Sequence, residues 1–310
     1  MMEPAHVTVM AREAIAFLQP QPGRRYLDGT LGGGGHAERI LEESSPDGQV
    51  AGLDWDDMAL DMAQRRLARF GSRFMARRAS YAAAEQVLGD IGWGAVDGAL
   101  LDLGLSSMQL DSAERGFSFR AEARLDMRMD KRQALDADEI VNRYSREALE
   151  RILREYGEEP QARRLAQAMV DARAIRAIES TAELVELIVR VKGRGAREHH
   201  PATQVFQALR IAVNRELEQL ENFLSDGYRL LAPRGRIVII SFHSLEDRLV
   251  KTAFRKWNAT CLCPPRTPIC GCGWARKARL LTRRAVKPQA DEVQTNPRAR
   301  SARLRAVERI

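Results

Sequence analysis

Along the first hundred residues, short apolar runs alternate with stretches of helical periodicity. Val7, Met10, Ile15 and Leu18 recur at helix-like spacing before Pro20 and Pro22-Gly23, which predicts a helix over His6–Leu18. Strands are then predicted at Arg24–Leu27, Gln49–Asp54, Arg73–Arg78 and Ala95–Leu101, with helices at Ala37–Glu43 and Asp57–Phe70 between them. This alternation belongs to an α/β fold with a largely parallel sheet.

The pattern changes after about Asp111. As far as His200 no strand is evident, and Arg146–Tyr156, Gln161–Ile178 and Thr181–Lys192 carry apolar residues at three-four spacing with polar opposite faces. Thr203–Leu231 reads as one long amphipathic helix. It leads to the strongest strand of the chain, Arg236–Phe242, whose β-branched run suits burial on both faces. The sheet is therefore interrupted by a helical insertion and then resumed. The expected organisation is 1–110 (first part of the α/β domain), 111–202 (helical insert) and 203–310 (second part of the α/β domain, with a basic C-terminal tail).

Composition changes this picture little and charge changes it more. The 310 residues are 45% hydrophobic and 29% charged, as in a soluble globular protein, with a net charge of +7. From Lys251 onward there are 15 Lys/Arg against 3 acids, so this end carries +12 and invites an anionic partner such as a nucleic acid. No apolar run approaches the ~20 residues that span a bilayer. The N-terminus lacks a basic segment followed by an apolar one, so a cytoplasmic location is expected, with no membrane partner. The four cysteines are then thiols or metal ligands rather than disulfides.

Candidate chemistry gathers at predicted strand ends. Asp28-Gly-Thr-Leu-Gly-Gly-Gly-Gly-His36 follows the first strand and opens a helix, a place where glycine backbone can approach a nucleotide-like ligand. No Gly-Lys-Ser/Thr follows, which excludes a P-loop. Asp28 would repel a pyrophosphate and suits a cationic ligand, and S-adenosylmethionine, with its sulfonium and amino group, fits better than a dinucleotide. Asp54 ends the second strand, where an acidic side chain reaches ribose hydroxyls; as a bare helix cap it would do nothing for a ligand. Tyr81 follows the third strand and could stack on an adenine or close the core. Asp102 ends the fourth, ahead of Ser106 and Ser107, and His243 follows the last strong strand. Cys261, Cys263, Cys270 and Cys272 form a CxC-x6-CxC constellation able to bind structural zinc, with reduced thiols as the alternative.

Several segments together resemble one family: the glycine loop, Leu101–Ser107, Glu114–Phe119, Leu125–Asp130, His200–Leu217, Ser241–Arg248 and Asn296–Ser301. In this order they look like the MraW (RsmH) family of bacterial 16S ribosomal RNA cytosine-N4 methyltransferases. The resemblance implies a class I, Rossmann-like methyltransferase sheet with a helical insertion that helps to hold RNA. It implies S-adenosylmethionine as cofactor, contacted at Gly34, Gly35, His36, Asp54, Tyr81, Asp102 and Gln109, and 16S rRNA of the small ribosomal subunit as partner. A homodimer is neither required nor excluded. The alternative is a methyltransferase for another RNA or a non-RNA substrate.

The exocyclic amine of cytidine is a poor nucleophile, because its lone pair is delocalised into the ring. Asp102 is the first candidate to accept its proton, with Ser106, Ser107 and His243 as neighbours; the alternative is that Asp102 touches only the cofactor amino group. Phe117 and Phe119 either stack the target base or pack the insert.

Overall fold

The computed structural model describes residues 8–106, 109, 112–119, 121–193, 200–264, 267 and 269–310. Ser107, and His6 and Val7 at the start of the first predicted helix, lie outside the described residues. The chain forms two compact units, one from Met1–Gly104 with Leu217–Ile310 and the other from Leu105–Glu216.

The first unit is built on a seven-stranded sheet: β1 (Arg25–Asp28), β2 (Gln49–Asp54), β3 (Phe74–Arg78), β4 (Val96–Asp102), β5 (Leu231–Ser241), β6 (Ala278–Leu280) and β7 (Arg303–Arg309), in the order β3-β2-β1-β4-β5-β7-β6. The first five strands run parallel, and β7 lies antiparallel to both β5 and β6. A 3-2-1-4-5 parallel run reverses direction beside β1, as in doubly wound sheets that bind nucleotides at the switch point. With the reversed β7 it is the Rossmann-like methyltransferase sheet that the sequence led one to expect.

Alternation along the strands fills two cores. Leu27, Leu101, Ile237 and Ile239 face one side with Phe254 and Trp257. Tyr26, Leu100, Val238 and Ile240 face the other with Ile40, Leu41 and Leu304. Successive side chains of a strand point to opposite faces, so a strand covered on both sides must be apolar throughout. Register then aligns the strand ends. Asp28 pairs with Gly52 and Leu100, and Asp102 with Ile240, so the carboxylates that end β1, β2 and β4 share one rim.

Two sequence expectations for this half of the chain are corrected. The basic C-terminal end is not a tail: Arg303–Arg309 is an inner strand with Leu304, Arg305, Ala306 and Val307 buried. The arginines interrupt the apolar run, and the sheet absorbs them by pairing. Both guanidinium arms of Arg305 donate to Asp247, at 2.7 and 3.0 Å, and Arg236 and Arg279 pair with Glu308. Nor is Thr203–Leu231 one helix. It divides into Thr203–Asn214 and Glu216–Asp226 at Arg215, whose φ of 51° is left-handed, followed by a 3-10 turn at Gly227–Leu230.

The second unit is helical, with helices at Ala137–Arg143, Arg146–Gly157, Ala162–Ile175, Thr181–Lys192 and Thr203–Asn214. Side-chain caps set three of the starts: Asp136, Ser145 and Ser180 each accept a backbone N–H three residues on. Leu149, Leu153, Leu165, Met169, Leu184, Ile188, Val205 and Leu209 form its core. Helix Thr203–Asn214 packs within this core, which carries the unit past the expected boundary at 202 to Glu216. A Cβ on Gly157 would fall 2.6 Å from the Gln204 carbonyl oxygen, so glycine lets the two helices meet. Asn214 ends the last helix by gripping an inner loop: its side chain accepts from Met129 N at 2.7 Å and donates to Met127 O at 2.8 Å. Phe117 is buried, and Phe119 stacks on His200 at 4.6 Å and meets Phe206 edge-on at 5.5 Å, so both aromatic rings pack the insert.

Candidate functional site

The glycine loop closes tightly over the sheet edge. Gly29 N donates to Leu100 O at 2.9 Å, and a Cβ there would run into Leu101 and sit 3.0 Å from Tyr81 Cβ. Gly34 has φ of 80° and caps helix Gly35–Glu43, a backbone shape that glycine adopts without strain. A Cβ on Gly35 would overlap the Thr8 hydroxyl. The loop is thus pressed between β4 and the N-terminal segment, and its helix begins with His36 turned inward.

Three carboxylates surround it. Asp28 is fully buried; its Oδ1 accepts from Thr30 N at 3.2 Å, and its Oδ2 has no hydrogen-bond partner among the described residues. Burial pushes its carboxyl up to about 6, against the opposing pull of His36 and of the Thr30 N–H, with Asp102 and Asp54 adding to the rise. Asp54 holds the loop itself, accepting from Gly32 N at 2.8 Å and from Asp56 N at 3.0 Å. Burial raises it to about 6 as well, although both of those N–H donors lower it. Asp102 is fixed through its backbone: its N donates to the Thr30 hydroxyl at 2.6 Å. Its Oδ2 lies 3.4 Å from His36 Nε2, and its Oδ1 is buried without a partner among the described residues. Burial by itself would lower the His36 pKa, but Asp102 first and then Asp28 and Glu292 outweigh it, and the net shift is upward.

Thr30 was not singled out from sequence, yet it connects Asp28 to Asp102 through one backbone and one side-chain bond. Its position two residues after a strand-ending aspartate, inside a glycine loop, is the signal that could have marked it. Two buried carboxylate oxygens without partners among the described residues are costly unless something cationic or hydrogen-donating answers them. The donor set fits a cationic nucleoside cofactor and does not fit a pyrophosphate.

Other predicted residues take different places. Tyr81 is buried in the core, edge-on to Phe223 at 5.9 Å, so its ring forms part of the wall behind the loop. His243 caps helix Ser244–Asn258 in a capping box: its Nδ1 accepts from Glu246 N at 3.4 Å, and Glu246 accepts from His243 N at 3.3 Å. The residues that follow β5 line a 430 Å³ cleft with Arg248, Lys251, Lys287, Arg300 and Arg303. Ser106 and Gln109 belong to the second unit and bond reciprocally, Gln109 N to Ser106 Oγ at 3.2 Å and Ser106 N to Gln109 Oε1 at 3.1 Å. The pair has the Ser-x-x-Gln spacing in which such reciprocal bonds form. The four cysteines do converge: their sulfur atoms all lie within 4.8 Å of one another. Among the described residues no helix is long and apolar enough to cross a membrane.

Comparison with known proteins identifies the family. The profile of the MraW methylase family matches residues 3–310. A protein named ribosomal RNA small subunit methyltransferase H from Geotalea daltonii is 52% identical over 307 residues, covering 98% of each chain. Proteins of the same name from Geobacter sulfurreducens and Syntrophotalea carbinolica are 51% identical over 308 residues and 50% over 307, covering 99% and 98% of both chains in each case. With a single profile spanning nearly its whole length and relatives at half identity from end to end, this chain belongs to the MraW methylase family.

Proposed function

We propose that this protein transfers a methyl group from S-adenosylmethionine to the exocyclic N4 amine of a cytidine in the decoding region of 16S rRNA. The observation that carries the proposal is the pair of buried carboxylate oxygens beside the glycine loop, one on Asp28 and one on Asp102, that no described residue answers. Relatives named as small-subunit rRNA methyltransferases support the substrate, and the resemblance of seven motifs supports the cytidine amine.

When bound, S-adenosylmethionine supplies an electrophilic methyl on a positively charged sulfur. The chain supplies position and charge. Asp28 and Asp102 would hold the cationic part, Asp54 the ribose hydroxyls, and Gly34, Gly35 and His36 the near wall, with Tyr81 closing the pocket from the core side. The Thr30 hydroxyl fixes the Asp102 backbone, so its carboxylate needs little rearrangement before reaction. Asp102 Oδ1 accepts a hydrogen bond from the cytidine amine, which frees the nitrogen lone pair for in-line attack. As the new N–C bond forms the methyl–sulfur bond breaks, the sulfur leaves as a neutral thioether, and the nitrogen gains the positive charge; its one surplus proton then passes to Asp102 Oδ1 and on to solvent. The target base must be unstacked to reach this depth. The helical unit would hold the RNA, and the arginines and lysines of the cleft beyond β5 would meet its phosphates.

Deleting the gene and digesting 16S rRNA to nucleosides tests the proposal. N4-methylcytidine should disappear and return with the wild-type gene but not with an Asp102→Ala copy. Unchanged N4-methylcytidine in the deletion strain would overturn it.

A further inference from the structure

Between Asn258 and Lys277 no described residue is buried. Leu262 and Ile269 are 41% and 84% exposed, so the described residues of this connection between helix Ser244–Asn258 and β6 form no apolar core of their own. Its ends are anchored: Trp274 Nε1 donates to Ala259 O at 3.0 Å, Arg276 Nε to Asn258 O at 2.9 Å and Lys277 N to Trp257 O at 2.8 Å. What gathers the middle is sulfur. Cys261 Sγ lies 3.4 Å from Cys270 Sγ and 3.7 Å from Cys272 Sγ; Cys270 Sγ lies 3.5 Å from Cys272 Sγ and 3.9 Å from Cys263 Sγ.

Four sulfurs bound tetrahedrally at about 2.3 Å from a zinc ion stand about 3.8 Å apart. Four of the six sulfur separations, 3.4 to 3.9 Å, bracket that edge, and all six lie within 4.8 Å. They also link all four cysteines rather than sorting them into two close pairs. Backbone N–H groups point at the sulfurs as they do at thiolates: Cys263 N donates to Cys261 Sγ at 3.3 Å and Leu262 N to Cys272 Sγ at 3.4 Å. Lys256 and Lys277 lie at 5.6 and 5.2 Å over the ring of Trp274, which is two residues along the chain from Cys272.

We infer that Cys261, Cys263, Cys270 and Cys272 form a structural site for one zinc ion, which folds the 259–277 connection. All four ligands come from the protein, leaving no open position, so the site is structural and separate from methyl transfer. Binding exchanges the thiol protons for the metal, and the ordering of the segment is then driven by metal ligation in place of an apolar core.

The test uses the full chain, reduced and freed of metal by a chelator, titrated first with cobalt(II) and then with zinc. One cobalt per chain should bind with the charge-transfer and ligand-field absorption of a tetrahedral thiolate site. Zinc should displace it and slow alkylation of the four thiols about tenfold or more. A Cys270→Ser/Cys272→Ser variant should lose the cobalt spectrum while keeping its affinity for S-adenosylmethionine. A wild-type chain that shows no thiolate–cobalt absorption, and whose thiols alkylate equally fast with and without zinc, would overturn the inference. That outcome needs no variant to fold.

Discussion

Replacing Asp28 by Asn should make the empty protein more stable and the methyltransferase worse. Asp28 is fully buried, and its carboxyl is raised from 3.8 to about 6 chiefly by that burial. Each pKa unit corresponds to about 1.4 kcal/mol, so keeping Asp28 ionised at neutral pH costs the folded chain about 3 kcal/mol. Because the folded-state value lies above the unfolded one, the stability associated with this group is fully present below about pH 4. It is lost as pH rises from there to about 6. Asparagine cannot ionise, and its carbonyl oxygen can still accept from Thr30 N, so Asp28→Asn should raise the melting temperature of the cofactor-free protein at pH 7.5. It should also remove the pH 4–6 slope in stability that Asp28 contributes.

Binding should move the other way. A charge-assisted hydrogen bond is worth ~1.5–3 kcal/mol, so the variant should bind S-adenosylmethionine about 10- to 150-fold more weakly. In the wild type, affinity should fall below about pH 6, where Asp28 and Asp54 take up protons. Thermal unfolding of the empty protein and calorimetric titration with cofactor from pH 5 to 8 read both effects. A variant that is less stable than wild type and binds cofactor equally well would refute the reasoning, because the buried charge would then serve the fold and not the ligand.

Three other outcomes follow from the packing and the site. Gly29→Ala forces a Cβ into Leu101 and against Tyr81, and should cost about 1–3 kcal/mol in denaturant unfolding while weakening cofactor binding. Lys192 and Glu159 form an ion pair with side chains 1% and 0% exposed, so Lys192→Met alone should destabilise by about 3–5 kcal/mol, whereas Lys192→Met with Glu159→Leu should lie near wild type. Asp102→Ala should slow single-turnover methylation by about 100-fold or more with saturating cofactor; a loss confined to cofactor affinity would reduce Asp102 to a cofactor contact.

How much of this could be read in the sequence depended on whether local pattern or distant pairing decided the structure. The predicted bounds of β2 match the observed strand, and β1, β3, β4 and helix Thr181–Lys192 lie within a residue or so of expectation, because period and turn chemistry are local. The acidic strand ends were equally legible, since a parallel register places them on one rim wherever the strands begin. The inner strand β7 was hidden by its charged residues, whose partners are distant in sequence: Asp247 answers Arg305, and Arg236 and Arg279 answer Glu308. The break at Arg215 is set by Asn214 reaching Met127 and Met129, again a distant contact. Ser106 and His243 looked reactive because hydroxyl and imidazole groups sat on loops beyond strands. His243 caps a helix and Ser106 bonds Gln109 reciprocally, and each role follows from the residue three positions later rather than from the residue itself. The four cysteines were legible as spacing, but the convergence of all four sulfur atoms to within 4.8 Å of one another needed coordinates.

The most direct test of the account is a reaction with purified components. Small ribosomal subunits from a strain lacking the gene would be incubated with this protein and S-adenosylmethionine labelled in its methyl group, and the 16S rRNA digested to nucleosides. The account predicts that the label co-migrates with N4-methylcytidine at one site, and that Asp102→Ala abolishes the transfer. Label on a ribose oxygen or a ring carbon, or on protein rather than RNA, would contradict it.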